Sequence, residues 1–138
     1  MKYLPLLFIV IIACRVKKEN TSTDINRLHD IWALTHIDSK SYLTENNVKH
    51  PTLELYVADK RVLGNNGCNR LIGSLEILTP TDLKFGPLAG TKMMCQNMEL
   101  SNQFNANLAR VRSYKIEVLQ LFMYDEDGTE LLVFKKVD

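Results

Sequence analysis

The chain has 138 residues, of which 46% are hydrophobic and 24% charged, with a formal net charge of +1. This length predicts a single domain that can bury a sizeable apolar core. The basic and acidic residues are scattered and nearly balanced, which gives no electrostatic basis for binding nucleic acid.

Residues 1–13 are predicted to be a signal peptide for export. Lys2 precedes an apolar run, residues 4–13, that is interrupted only by Pro5. The run is shorter than the roughly 20 residues that a membrane-spanning helix needs, but its length suits a secretory signal. It ends in Ala13-Cys14, which resembles the lipobox of bacterial lipoproteins. The alternative is an ordinary secretory signal with an incidental cysteine at its end.

The lipobox resemblance implies cleavage before Cys14, a lipid on its sulfur and an acylated amine. More than one acyl chain gives stable anchoring. We therefore expect a protein of the cell envelope that is held to a membrane, at the outer membrane or the periplasmic face. Cleavage would remove Lys2 and leave a nearly neutral mature chain.

Residues 14–24 are predicted to be a flexible tether, because they are polar and carry few large apolar side chains. Arg15, Lys17 and Lys18 form its basic cluster. They would either touch acidic lipid head groups, at about 1 kcal/mol per charge, or remain solvated. The globular domain is expected to span residues 25–138.

Alternating apolar and polar residues predict that most of this domain is β-structure. Asp24 is expected to cap a short helical turn, and residues 39–51 to form a polar loop. Turns are expected at 59–60 and 125–128, where Asp, Lys and Gly cluster. Residues 88–94 have no clear pattern. The predicted strands are 31–37, 52–58, 61–63, 69–78, 83–85, 114–118, 120–124 and 130–137.

One segment, Glu99 to Val111, has the periodicity of an amphipathic helix. Leu100, Phe104, Leu108 and Val111 recur at spacings of four, four and three residues, which places them on one face. Asn97 is the expected N-terminal cap.

Two cysteines remain if Cys14 carries the lipid. In an oxidising compartment, Cys68 and Cys95 are candidates for a disulfide, which would stabilise the fold by roughly 3–4 kcal/mol in the chain-entropy model. The alternative is two buried free thiols that pack as small apolar groups. The sequence does not show whether the two sulfur atoms meet.

Two short motifs carry a family resemblance. Gly67-Cys68-Asn69-Arg70 is followed by Thr91-Lys92-Met93-Met94-Cys95, then by the predicted helix and a terminal hairpin that ends in residues 131–134. Together with Trp32, this order resembles the META domain, or HslJ-like, family over nearly all of residues 30–136. One departure is Leu71, where members of the family often have an aromatic residue.

The resemblance implies an α+β fold, a small and largely antiparallel β-sheet with one main amphipathic helix packed on it. It also implies a role in envelope stress and drug tolerance, through binding or structural support rather than a known chemical activity. The expected partners are the membrane, through the N-terminal lipid, and an envelope protein or small ligand.

Four residues of the two motifs are candidates for binding. Asn69 either satisfies backbone groups near a turn or contacts a ligand, and Arg70 has the same two interpretations. If the disulfide brings the motifs together, Thr91 and Lys92 would lie on the same surface. Arg70 and Lys92 would then form a site for an anion or a protein partner.

The alternative function is copper binding. Met93, Met94, Cys95 and Met98 cluster soft sulfur donors, which suit monovalent copper, and a free Cys68 could join them. The competing interpretation is that the methionines fill gaps in the core.

Motifs for catalysis or cofactor binding are not found in the sequence. It has no Gly-x-Ser-x-Gly, no His-Glu-x-x-His and no phosphate-binding loop. His29, His36 and His50 stand apart from one another. The acidic run 125–127 resembles a calcium loop, but Glu130 lies where that loop needs glycine. We therefore expect a non-catalytic protein with no cofactor and no bound metal.

Overall fold

The computed structural model describes residues 24–41 and 49–137. The predicted signal peptide, the predicted lipidation site at Cys14 and the predicted tether as far as residue 23 lie outside the described residues. So do residues 42–48 of the predicted polar loop.

The described chain is mostly β-structure with one helix. This part of the chain contains a 3₁₀ turn, ten strands, β1 to β10, and the helix α1, which lies between β7 and β8 in the sequence. Their bounds are Ile25–Leu28 for the 3₁₀ turn, Asp30–Ile37 for β1, Lys40–Ser41 for β2, Thr52–Tyr56 for β3, Arg61–Asn65 for β4, Arg70–Leu78 for β5, Leu83–Phe85 for β6, Ala89–Gly90 for β7, Glu99–Arg110 for α1, Ser113–Glu117 for β8, Gln120–Tyr124 for β9 and Glu130–Val137 for β10.

The strands form one antiparallel sheet that curls into a nearly closed barrel. Its order is β6-β5-β4-β3-β1-β10-β9-β8, with β2 added beside β1 and β7 beside β5. The two ends of this path meet where Leu83 donates to the carbonyl of Arg112 (3.1 Å) and Tyr114 donates to that of Thr81 (3.0 Å). The α+β, antiparallel prediction is confirmed, but the expected small sheet is in fact barrel-like.

The barrel interior is filled by the apolar faces of the strands other than β2 and β7, whose residues are exposed. Leu53 and Leu55 of β3 are fully buried, as are Trp32 and Leu34 of β1, which pairs with β3. The indole N–H of Trp32 donates to the carbonyl of Leu28 at 3.0 Å, so the one tryptophan also fixes the 3₁₀ turn. The alternation that predicted these strands therefore marks the side chains that point inward.

Helix α1 contributes the predicted apolar stripe to this core. Leu100, Phe104 and Leu108 are buried, and Phe104 meets Phe134 of β10 edge to face, with ring centroids 6.2 Å apart. Full burial of such side chains is worth about 1.5–3 kcal/mol each. The N-cap position is Met98, not the predicted Asn97, and Met98 makes no side-chain capping bond. Asn97, one residue earlier, accepts from the N–H of Glu99 at 2.9 Å through its Oδ1.

Within residues 24–41 and 49–137, no helix combines the length and the apolar character that a membrane span requires.

Three short elements differ from the predictions. Strand β4 extends two residues beyond the predicted 61–63, through Gly64 to Asn65. Residues 89–90 form β7 and pair with Leu71 and Ile72 of β5. Part of the predicted polar loop, β2, pairs with the end of β1.

The hairpin turn predicted at residues 125–128 is confirmed. The Oδ1 of Asp125 accepts from the N–H groups of Asp127 (3.0 Å) and Thr129 (2.9 Å), and its Oδ2 pairs with Arg110 at 3.0 Å. The bond from Thr129, with those from Asp127 and Arg110, holds the pKa of Asp125 below its ordinary value despite some burial. Gly128 takes the positive φ of 79° that the turn needs.

The antiparallel strands give the barrel two distinct ends. At one, which we call the tether end, Asp30 begins β1 beside Leu55, close to where the described chain starts. At the other, which we call the motif end, Thr52 pairs with Asn65 and Asn65 with Arg70. The two sequence motifs both lie at the motif end.

Candidate functional site

A disulfide joins the two motifs. The Cα atoms of Cys68 and Cys95 are 6.0 Å apart, and the bond closes a separation of 27 residues. In the chain-entropy model a loop of this size contributes about 3.5 kcal/mol to folding. The structure thus contains the predicted disulfide and not the alternative pair of free thiols.

Asn69 connects the same two motifs through its side chain. Its Oδ1 accepts from the N–H of Met93 (2.7 Å) and from the hydroxyl of Thr91 (3.0 Å), and its Nδ2 donates to the carbonyl of Met93 (3.2 Å). The residue is only 6% exposed. Of the two interpretations of Asn69, this geometry favours the structural one, in which its side chain satisfies backbone groups that strand pairing leaves unpaired.

Asn66 does the same for the turn before β5, a role that was not predicted from the sequence. Its Oδ1 accepts from the N–H groups of Cys68 (3.0 Å) and Asn69 (2.7 Å), and its Nδ2 donates to Asn105 of the helix at 3.2 Å. The available signal was an asparagine in a Gly-Asn-Asn-Gly run, where the side chain often bonds the backbone two residues ahead. Asn66 therefore ties the motif to α1.

Arg70 and Thr91 face each other across the β5–β7 pair. The N–H of Arg70 donates to Oγ1 of Thr91, and the N–H of Thr91 donates to the carbonyl of Arg70, both at 3.1 Å. These bonds occupy the backbone of Arg70 and leave its side chain exposed. Lys92 follows and is exposed as well.

A groove of about 720 Å³ lies beside this pair, on the outer surface of β3, β4, β5 and β7. Arg70 and Thr91 line it, whereas Asn69 is buried next to it and Lys92 is outside it. Its lining consists of Thr52, Glu54, Leu63, Gly64, Asn65, Arg70, Leu71, Ile72, Ala89, Gly90 and Thr91. Two of the four predicted binding residues are therefore together in one cavity.

Among the described residues that line it, the groove has one charge of each sign and an apolar floor. Cross-strand pairing places Glu54 opposite Leu63, and Leu63 opposite Ile72. The carboxylate of Glu54 accepts from the hydroxyl of Tyr56 at 3.0 Å, and this bond raises the pKa of Tyr56. The carboxylate thus has a fixed partner, while Arg70 has a guanidinium that can bind a carboxylate or phosphate through two hydrogen bonds.

A scan against protein families matches the META domain over residues 25–138. The chain belongs to the META domain family. This confirms the resemblance that the two motifs and the order of elements predicted. A search of curated proteins finds no significant match.

Solved structures share the fold of this META domain. A protein solved by NMR has a TM-score of 0.62 at 22% identity, over 83% of this chain and 95% of its own. A second NMR structure, from Burkholderia xenovorans, has a TM-score of 0.60 at 19% identity, over 99% of both chains. A DUF4847 family protein from Bacteroides vulgatus ATCC 8482 has a TM-score of 0.56 at 14% identity, over 80% of this chain and 96% of its own. These identities show the fold alone.

The META domain has a second, smaller cavity of about 400 Å³ between α1 and the segment after β6. None of the residues that line it is charged: they are Leu71, Phe85, Gly86, Pro87, Leu88, Asn105, Leu108 and Ala109. It offers apolar contact and the amide of Asn105, but no group that would select a charged ligand.

The sulfur cluster of the META domain has a different arrangement from the one that the copper hypothesis requires. Cys68 and Cys95 are bonded to each other, so neither supplies a thiolate. The Sδ of Met98 accepts from the N–H of Cys95 at 3.4 Å. Met93 and Met94 are 55% and 87% exposed. In the described part of the chain, no three His, Cys, Asp or Glu residues come together as a metal site.

Proposed function

We propose that this chain is a lipid-anchored protein of the cell envelope whose META domain binds a ligand in the groove beside Arg70, without catalysing a reaction. The ligand carries a carboxylate or phosphate group, either on a small molecule or on an envelope protein. One observation supports this most: two disulfide-linked motifs hold Arg70 and Thr91 together on the wall of a groove of about 720 Å³.

The composition of the groove favours binding over catalysis. It combines the cation of Arg70, the hydroxyls of Thr52 and Thr91 and an apolar floor at Leu63 and Ile72. Binding sites for small molecules typically join an apolar surface to a few fixed polar groups. The one carboxylate, Glu54, is already bonded to a tyrosine hydroxyl rather than to a nucleophile.

The envelope location is supported by two features of the sequence and one of the structure. The signal-like segment and the Ala13-Cys14 pair indicate export and lipidation. The disulfide fits an oxidising compartment, since such bonds are rare in the reducing cytosol. A role in envelope stress tolerance follows from the family resemblance and forms part of the same proposal.

Copper binding is the second candidate, and it has less support. With both cysteine sulfurs in a disulfide, only methionine thioethers remain as soft donors at this site. The cell would have to reduce the disulfide before thiolates could bind the metal.

Photocrosslinking in intact cells tests the groove. A photoreactive residue replaces Ile72, which lines the groove and is 55% exposed, or Ile77, which lies on the same strand outside the groove and is 43% exposed. We expect adducts at position 72 that are missing at position 77. Adding Arg70→Ala should reduce the adducts at least about tenfold, since a charge-assisted bidentate bond contributes roughly 1.5–3 kcal/mol.

Equal adducts at the two positions, or adducts at position 72 that do not change with Arg70→Ala, would contradict binding in the groove. The anchor is tested separately by Cys14→Ser. This variant should move from the membrane fraction to the soluble fraction, and retention in the membrane would contradict lipidation at Cys14.

A further inference from the structure

The turn between β8 and β9 exposes two apolar side chains at the tether end. Glu117 pairs with Gln120, so the turn consists of Val118 and Leu119 alone. Val118 is 83% exposed and Leu119 is 59% exposed. These two adjacent apolar side chains lie at the tip of a hairpin, where their exposure to water does not stabilise the fold.

The backbone of this turn makes the choice of residues more unusual. Val118 has a φ of 54°, a region that β-branched residues rarely adopt and that glycine or asparagine occupies at little cost. Turn chemistry therefore does not explain the valine. Such strain is typical of positions whose side chain serves a function.

Other apolar side chains extend this surface. Ile31, 43% exposed, pairs across the strands with Val137, 37% exposed. The N–H of Lys136 donates to the carbonyl of Leu119 at 2.8 Å, which places the turn next to the end of β10. We call Ile31, Val118, Leu119 and Val137 the tether-end patch.

Basic residues lie beside the patch, and the adjacent carboxylates of Glu117 and Asp30 are paired with Lys115 and Lys136. The guanidinium of Arg27 donates to the carbonyl of Val118 at 2.9 Å. Lys135 is exposed and pairs with Gln120, the residue directly after the turn. Arginine and lysine next to exposed apolar side chains are typical of surfaces that lie at a lipid interface.

The chain also enters the domain at this end. The described residues begin at Asp24, and Cys14 precedes it by ten positions. Ten residues span at most about 36 Å when fully extended. A lipid on Cys14 would therefore keep the tether end within that distance of the bilayer.

We propose that the tether-end patch inserts into the interfacial layer of the membrane that holds the lipid anchor, with the motif end directed away from it. This inference rests on the lipid anchor of the proposed function. The groove beside Arg70 lies toward the motif end, so it would remain open to ligands while the domain is seated on the membrane.

Tryptophan quenching by brominated lipid tests the orientation. The full lipidated chain is placed in phospholipid vesicles as Leu119→Trp or, as the control at the opposite end, as Met94→Trp. Met94 is 87% exposed. The native Trp32 is 1% exposed, and its fluorescence is the background, which is measured on the unsubstituted chain. Phospholipid brominated near the head of its acyl chains should quench Leu119→Trp at least about twofold, since interfacial groups lie roughly 5–10 Å deep. Met94→Trp should not be quenched.

The remaining outcomes overturn the inference. Equal quenching of the two variants contradicts the proposed orientation, and quenching of neither shows that the patch is not inserted. A blue-shifted Leu119→Trp emission without quenching shows that a second copy or another protein covers it. Co-sedimentation with the vesicles reports the anchor independently: anchored but unquenched chains contradict the inference alone, whereas chains that do not sediment contradict the proposed function as well. Ile31→Trp is a second reporter should Leu119→Trp fold poorly.

Discussion

The two ends of the barrel are built by opposite means. At the motif end, a disulfide and the buried amides of Asn66 and Asn69 fix the backbone around two loops. At the tether end, Val118 and Leu119 expose apolar surface on a strained turn. The motif end is thus built to be stable and rigid. At the tether end, the exposed apolar residues and the strained turn lower the stability of the fold, so their presence needs another explanation.

The largest expected effect comes from removing the disulfide at the motif end. Cys68→Ser combined with Cys95→Ser should lower the free energy of unfolding by about 3.5 kcal/mol, because the unfolded chain regains the entropy of an open loop. Denaturant unfolding of the full chain in detergent measures the change. Hydrogen exchange should quicken more at Met93 than at Ile31, and equal acceleration at both would remove the distinction between the two ends.

A smaller loss is expected from Asn69→Ala. The substitution leaves the N–H and carbonyl of Met93 and the hydroxyl of Thr91 without their side-chain partner. Stability should fall by about 2–3 kcal/mol, since three part-buried hydrogen bonds are lost and each contributes roughly 0.5–1.5 kcal/mol. The matched control is the neighbouring Arg70→Ala, an exposed site that should change stability by less than about 0.5 kcal/mol. Similar losses for both would show that Asn69 does not hold the motifs together.

The smallest expected effect is a gain at the tether end. Val118→Gly should raise stability by about 0.5–1 kcal/mol, because relief of the positive φ outweighs the entropy that glycine loses on folding. Leu119→Gly, in the same turn but without a positive φ, should lower it slightly. Thermal unfolding measured in detergent, away from vesicles, gives both values. A loss for Val118→Gly would mean that the valine stabilises the fold and that the two ends differ less than we infer.

Local patterns were enough to predict most of the strands and the helix. The alternation in β3 and the stripe of α1 each depend on one face of one element, so the sequence displays them directly. Strand β7 was missed because Ala89 and Gly90 are too few to alternate. Barrel closure was missed because it depends on Leu83 and Arg112 meeting across 29 positions, for which neither residue carries a local signal.

The candidate site was predictable only in part. Arg70 and Thr91 belong to motifs, so their sequence context drew attention to them. Glu54, Leu63 and Ile72 complete the groove from three separate strands. On each strand they take the outward position, where the sequence pattern of a binding surface does not differ from that of an ordinary solvated face.

The meeting of β6 and β8 has a consequence for the lipid-anchored state that we propose. Anchored molecules diffuse in two dimensions and collide often, and an open sheet edge would offer each neighbour a row of unpaired N–H and C=O groups for intermolecular strand pairing. The bonds from Leu83 and Tyr114 occupy part of that edge within the molecule. Wrapping the sheet onto itself thus leaves fewer unpaired backbone groups for intermolecular strand pairing, which crowding of anchored chains on a bilayer would otherwise favour.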